Sequence, residues 1–242
     1  HTPRRRQRQM CIRDRYWVIS MSVLIALPCY GGLVSDKTAK GLFNLGKDLR
    51  SNNIDHGLIT LANESLITKG RSRIANFFMN NTQYEYVMFI DADVGFTSED
   101  VLKLLSHQKD IVCGAYPMKS IPLQYNYNIS QPPVAENSLV KIENIGFGFA
   151  LIHRRVFEKI KENYEDLKYI PAQGHSTYPI TEAEYYNSYH YFNELKKDMS
   201  YLPEDFSFFE RAKSVGFTAW LDTTIRLCHV GSHVFQEINI EK

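Results

Sequence analysis

The residues best suited to do chemistry are Asp91-Ala92-Asp93, where the apolar run Val87-Met88-Phe89-Ile90 ends in two carboxylates one residue apart. Consecutive apolar residues rich in β-formers predict a strand buried on both faces of a parallel sheet. Strands of such sheets present their carboxyl ends to the ligand crevice. Alternation along an extended chain points residues 91 and 93 the same way. Two neighbouring carboxylates repel unless a cation lies between them. A hard divalent cation, which also binds phosphate oxygens, is the economical choice. The competing reading of the same residues is a helix N-cap followed by a loop carboxylate.

Other polar clusters accompany this pair. Pro28-Cys29-Tyr30-Gly31-Gly32 ends an apolar segment, and Pro with paired Gly stops a strand and lets backbone approach a ligand. Glu204-Asp205 opens a predicted helix, where acidic residues also favour the dipole without any catalytic role. Gly146-Phe147-Gly148 fits either a close ligand approach or a strand bulge. His229 reads as a metal ligand or as an ordinary partly buried histidine. Arg71 and Arg73 fit a solvated helix face as well as a ligand site, and Lys119 reads as a surface lysine.

Positioning these groups requires a scaffold. Strands are predicted at residues 23–27, 57–61, 87–91 and 110–116, alternating with helices at about 36–50, 66–79 and 98–106. Leu42, Leu45 and Leu49 mark the buried side of the first helix, and Ile67, Gly70, Ile74, Phe77 and Phe78 that of the second. Thr97 with Asp100 forms a capping pattern. This β-α alternation with right-handed crossovers builds an open nucleotide-binding type sheet. Residues 117–135 read as irregular, followed by a strand at 150–153 and a helix at 154–164. Residues 165–200, with Tyr178, Tyr185, Tyr186, Tyr189, Tyr191 and Phe192, are long for a plain loop and predict a lid or binding rim. A helix at 204–214, with Pro203 at its first position and Gly216 past its end, precedes strands at 218–221 and 225–230.

The 242 residues, 44% apolar, suffice for one α/β domain with a full core. Residues 2–15 hold six Arg and one Asp without periodicity. Residues 1–20 are therefore set aside as a non-native or disordered leader, and residues 21–242 are taken as the folded part. The remainder carries a net charge of about −4, which leaves no nucleic-acid footprint. The apolar stretch after the arginines is too short to span a bilayer, so no transmembrane segment is expected. Cys11, Cys29, Cys113 and Cys228 are widely spaced with no C-x-x-C pair, as for reduced cysteines in a cytoplasmic protein.

Taken in order, Pro28-Cys29-Tyr30, Glu64 through Arg71-Ser72-Arg73, Asp91-Ala92-Asp93, Gly146-Phe147-Gly148, Glu204-Asp205 and His229-Val230-Gly231 form a series. It resembles nucleotide-sugar glycosyltransferases of the GT-A fold, most like the inverting, family-2-like members, over nearly all of residues 21–235. The resemblance implies an α/β fold, a single GT-A domain with a mostly parallel central sheet flanked by helices. Its Rossmann-like nucleotide-sugar half would cover about 21–117 and its acceptor half about 118–242. It further implies Mn²⁺ or Mg²⁺ on the donor diphosphate, held by Asp93 with His229 and with Asp91 on metal or ribose. Pro28, Cys29, Tyr30, Glu64, Arg71, Asp91 and Ala92 would bind a UDP- or GDP-sugar. Gly146, Phe147, Gly148 and Glu204 would face the acceptor, a glycan, lipid-linked or protein hydroxyl, and Asp205 would be the general base. The sequence departs from the pattern in lacking a clear Asp after the second strand for uracil, with Glu64 as substitute. It also lacks the Q-x-x-R-W of processive synthases.

Three other functions compete. Asp91-Ala92-Asp93-Val94 also resembles the nucleophile motif of haloacid-dehalogenase-like phosphohydrolases, with Asp91 as covalent nucleophile and Asp93 as acid/base. That family places the motif on its first strand and needs a later acidic metal site, and neither is found. A non-catalytic nucleotide-sugar-binding module would not require both Asp93 and Asp205. A nucleotidyltransferase would want a basic Gly-rich loop after strand one, and residues 28–32 carry no Arg or Lys.

Overall fold

The computed structural model describes residues 21–172 and 179–237, so the leader and Tyr178 lie outside the described residues. The first half comprises β1 (Ser22–Cys29), α1 (Asp36–Ser51), β2 (Asp55–Ala62), α2 (Ile67–Asn81), β3 (Tyr86–Ile90), β4 (Val94–Gly95), α3 (Ser98–Ser106) and β5 (Ile111–Gly114). The second half begins with β6 (Tyr127–Ile129), β7 (Ala135–Glu136), β8 (Leu139–Ile145), β9 (Phe149–His153) and α4 (Arg154–Asn163). It continues with β10 (Lys168–Tyr169), α5 (Glu182–Tyr186), β11 (Ser188–Tyr189), β12 (Leu195–Lys197) and β13 (Ser200–Leu202). It closes with α6 (Glu204–Ser214), β14 (Ala219–Asp222), β15 (Cys228–Val230) and β16 (Val234–Phe235).

The main sheet runs β2-β1-β3-β9-β5-β14-β8-β6, with β7 also on β8. The pairs β1/β2, β1/β3 and β5/β14 are parallel, whereas β3/β9, β5/β9, β8/β14, β6/β8 and β7/β8 are antiparallel. The sheet is therefore mixed, which corrects the expectation of a mostly parallel one. The causes are β9, which inserts between β3 and β5 against their direction, and β8, which runs antiparallel to β14, β6 and β7. A strand buried on both faces reads as the same apolar run in either direction.

Period-2 alternation divides the core into two layers. Leu24, Ala26, Val87 and Phe89 face the side covered by α2, α4 and α6, where Ile74, Phe78, Val156, Phe157 and Phe208 meet them. Val23, Ile25, Leu27, Met88 and Ile90 face α1 and α3, against Leu45, Leu49, Val101 and Leu104. Ser35 caps α1 by accepting from the Thr38 amide at 3.1 Å. Asp100 closes the start of α3 by accepting from the Thr97 amide and hydroxyl.

Tyr189, Tyr191 and Phe192 are buried, with Phe192 stacked on Phe208 at 4.8 Å. This part of the expected lid is thus core wall: Asn76 of α2 both donates to the Tyr189 carbonyl and accepts its amide. Among the described residues, no helix is long and apolar enough to cross a membrane.

Candidate active site

β3 stops at Ile90 because the chain turns there, with the Val94 amide donating to the Asp91 carbonyl at 3.0 Å. Three other backbone bonds hold the turn. The Ser35 amide donates to the Ala92 carbonyl at 2.8 Å, the Val230 amide to the Asp93 carbonyl at 2.8 Å, and the Asp91 amide to the Gly148 carbonyl at 2.9 Å. The Thr38 hydroxyl adds a bond to the Val94 carbonyl at 2.9 Å. Strand alternation therefore ends before Asp91, and the two carboxylates have separate partners, contrary to the shared direction expected of an extended segment.

Asp91 is bound by Arg71, whose Nη2 donates to Oδ1 at 3.0 Å and to Oδ2 at 3.2 Å. The other prong, Nη1, donates to Glu204 Oε1 at 2.6 Å. Arg71 is only 4% exposed, so it is not on a solvated helix face. It bridges the β3 turn to the first turn of α6, and its guanidinium lies 5.6 Å from the Phe147 ring centroid. A buried guanidinium with two carboxylate partners is held by charge-assisted bonds in a fixed fork, a geometry lysine lacks.

Asp93 lies at the other end of the turn. His229 Nε2 is 3.3 Å from its Oδ1 and Lys119 Nζ is 2.5 Å from its Oδ2. Burial pushes the Asp93 carboxyl up, but the bonds from His229 and Lys119 outweigh it and hold its pKa at about 2. His229 Nδ1 donates to the Pro117 carbonyl at 2.9 Å, which requires a proton on that nitrogen and turns Nε2 toward Asp93. One carboxylate oxygen and one oriented imidazole nitrogen suit a divalent cation. Among the described residues, no third His, Cys, Asp or Glu joins them into a metal cluster. Diphosphate oxygens and water would have to complete the coordination, as Mg²⁺ commonly allows. Asp91, expected on metal or ribose, has both oxygens within hydrogen-bond reach of Arg71.

Asp205 is 8% exposed and accepts the Phe206 amide at 2.8 Å. Burial, and next the adjacent Glu204 charge, raise its pKa to about 6, against the lowering pull of the Phe206 amide and Arg71. Asp91 and Glu204 share Arg71, and Asp93 has Lys119 and His229. Among the described residues, Asp205 is the carboxylate of this group without a cation in ion-pair contact.

The glycine pair serves packing. A Cβ on Gly148 would lie 2.6 Å from Asp91 Oδ2 and 2.7 Å from the Tyr116 hydroxyl, and one on Gly146 would lie 2.8 Å from that hydroxyl. Tyr116 accepts the Gly148 amide at 3.1 Å and sets its ring edge-on to His229 at 5.1 Å. Phe147, expected at the acceptor, is 0% exposed and packs on Phe89, Phe192, Phe208 and Phe209. Its place is beneath Arg71 rather than on a ligand.

A cleft of about 540 Å³ opens over this site, lined by Pro28, Cys29, Tyr30, Glu64, Arg71, Asp91, Ala92 and Asp93 among others. It brings together every residue expected at the donor. Tyr30 stands exposed at its rim, Cys29 is buried, and Glu64 pairs with Lys69 at 3.1 Å. A larger cavity of about 740 Å³ is lined from beyond the β4/β15 ladder by Lys37, Phe96, Tyr125, Asp222 and Cys228. None of the candidate carboxylates lines it, so volume alone does not mark the site. Sequence reasoning assigned Tyr116 no role at the site and made Lys119 a surface lysine, whereas Lys119 pairs with Asp93. Their signal was position: both follow β5 directly, at the carboxyl edge of the sheet that also carries Asp91.

No protein-family model and no curated protein matches the chain by sequence. In structure it is similar to A197 from STIV, with a TM-score of 0.51 and 16% identity, covering 92% of this chain and 97% of that one. The catalytic domain of Drosophila beta1,4-galactosyltransferase 7, determined with xylobiose, aligns at a TM-score of 0.45 and 12% identity over 90% of this chain and 71% of that one. HddC from Yersinia pseudotuberculosis aligns at a TM-score of 0.33 and 9% identity over 56% of this chain and 78% of that one. The likeness to A197 covers nearly the full length of both chains, and what it establishes is a shared α/β fold with a large mixed sheet.

Proposed function

We propose that the protein is a metal-dependent glycosyltransferase of the GT-A type, moving a sugar from a nucleotide-sugar donor to an acceptor hydroxyl with inversion. The observation that carries this reading is the division of labour among four neighbouring carboxylates. Asp93, with His229, is suited to the metal end of a donor diphosphate; Asp91 and Glu204 are both paired with Arg71; Asp205 is left as a base. The residues lining the cleft are those expected at the donor from the sequence motifs, which supports placing the nucleotide there.

In this mechanism Asp205 takes the proton of the acceptor hydroxyl as that oxygen attacks the anomeric carbon. The bond from that carbon to the diphosphate breaks, and the diphosphate leaves with the electron pair. A pKa of about 6 leaves Asp205 mostly ionised at neutral pH yet basic enough to accept the proton. Bound Mn²⁺ or Mg²⁺ would supply Lewis-acid stabilisation of the leaving charge through Asp93 and His229. Arg71 keeps Glu204 beside Asp205 without adding a second free carboxylate. The phosphohydrolase alternative needs an unencumbered Asp91 oxygen to attack phosphorus, and both are engaged by Arg71.

Thermal-shift measurement with UDP-, GDP-, CMP- and dTDP-sugars, each with and without Mn²⁺, tests the reading. Stabilisation by one nucleotide family that requires metal is expected. Asp205→Asn should keep that shift and lose turnover; normal transfer by this variant would refute the assigned base.

A further inference from the structure

Lys119 stands on a short loop after β5, where Pro117 bridges to Tyr125 and the Met118 amide donates to the Gln124 carbonyl at 2.7 Å. Its aliphatic stem runs past Gly231, where a Cβ would come within 3.1 Å of Lys119 Cδ. The Pro117 carbonyl two residues earlier accepts from His229 Nδ1. The loop that carries Lys119 is thus tied to the same histidine that faces Asp93. The Lys119 and Asp93 side chains are each 39% exposed, in contrast to the buried Arg71.

A diphosphate entering at Asp93 brings two or more negative charges to a place that already holds a carboxylate. Arg71 cannot answer them, because both prongs are committed to carboxylates and it has no room to move. Lys69 does not line the cleft and is paired with Glu64, which does. The Lys119 ammonium, on a flexible stem with solvent on one side, is the cation free to exchange partners at this end.

We propose that Lys119 is a phosphate-binding residue whose ammonium passes from Asp93 Oδ2 to the donor diphosphate when the donor enters. The move frees the second Asp93 oxygen for the metal at the moment the diphosphate arrives. Before the donor binds, the same ion pair keeps Asp93 from holding a metal tightly on its own. The inference rests on the donor-site reading above, and inorganic pyrophosphate separates the two.

The experiment titrates the wild-type chain, Lys119→Met and Lys119→Arg with inorganic pyrophosphate in EDTA by calorimetry, and with Mn²⁺ alone by electron paramagnetic resonance. Charge-assisted bonds to phosphate predict that Lys119→Met weakens pyrophosphate binding by about tenfold or more while Lys119→Arg retains most of it. The same Lys119→Met change should tighten Mn²⁺ binding several-fold, an opposite sign that a merely damaged site would not give. Absence of pyrophosphate binding in the wild type, equal affinities in wild type and Lys119→Met, or weakened Mn²⁺ binding in Lys119→Met would each overturn the proposal. If pyrophosphate binding follows Lys119 but no sugar nucleotide binds, Lys119 stands and the glycosyltransferase reading falls. If a metal-dependent sugar-nucleotide shift persists while pyrophosphate ignores Lys119, the reverse holds.

Discussion

Asp205→Asn should make the protein more stable above neutral pH while disabling it. The Asp205 pKa is raised from 3.8 to about 6, chiefly by burial and then by Glu204, so folding favours its protonated form. The stability this group contributes is fully present below about pH 3.8 and is lost as pH rises through about 6. Two pH units correspond to about 3 kcal/mol held against the ionised form. Asparagine keeps an oxygen for the Phe206 amide but never ionises, so it escapes that penalty. Integrating between the two pKa values, the stability gap between variant and wild type should widen by about 1.4 kcal/mol from pH 5 to pH 8 and change little beyond. Urea unfolding of both proteins at matched pH values measures this, and other titrating groups cancel in the difference. Turnover should fall by roughly 10²–10⁴-fold, the usual worth of a general base. A gap that stays flat with pH would show that Asp205 is not held ionised at a cost, and the case for it as the tuned base would fail.

Other substitutions probe the frame around it. Arg71→Lys leaves a point charge that cannot serve Asp91 and Glu204 together. The variant should lose roughly 2 kcal/mol in urea unfolding, because a half-buried carboxylate is left unpaired; a loss under 1 kcal/mol would contradict the bridge. Gly148→Ala places a methyl group 2.6 Å from Asp91 Oδ2. It should abolish the donor thermal shift with the far-ultraviolet circular dichroism unchanged, and an undiminished shift would show that Asp91 need not stay where it is. Phe147→Ala removes the ring under Arg71 and should cost about 3–5 kcal/mol of stability. A purely kinetic effect on acceptor with no loss of stability would restore Phe147 to the acceptor site.

What the sequence made legible was what local periodicity encodes. The run ending at Ile90 is a strand because its residues are apolar on both faces, and Thr97 with Asp100 sits at a helix start where its capping pattern is expected. The residues Pro28, Glu64, Asp91 and Asp93, expected at one site, line one cleft because each lies at or just past the carboxyl end of a strand at one edge of the sheet. Strand direction was not legible, since Phe149–His153 is as uniformly apolar as a parallel strand would be. Nor was the polar face of α2, where Arg71, Ser72 and Asn76 are buried. Their partners Glu204, Phe192 and Tyr189 lie more than 110 residues later in the chain, beyond the reach of any helical period.

The same distinction explains why the role of each carboxylate was harder to read than its presence. Asp91, Asp93, Glu204 and Asp205 are chemically near-equivalent in the sequence, and a motif states only that acids are needed there. Their roles part when different cations reach them: one buried arginine takes two, a lysine and a histidine take a third, and the fourth is left to titrate near pH 6. Those cations come from α2, from the loop after β5 and from β15, so function here is assigned by long-range topology acting on a locally encoded set of acids. Moving the cation should therefore move the role. Freeing Asp91 by removing Arg71 should raise a second carboxylate into competition with Asp205 rather than simply weaken the fold.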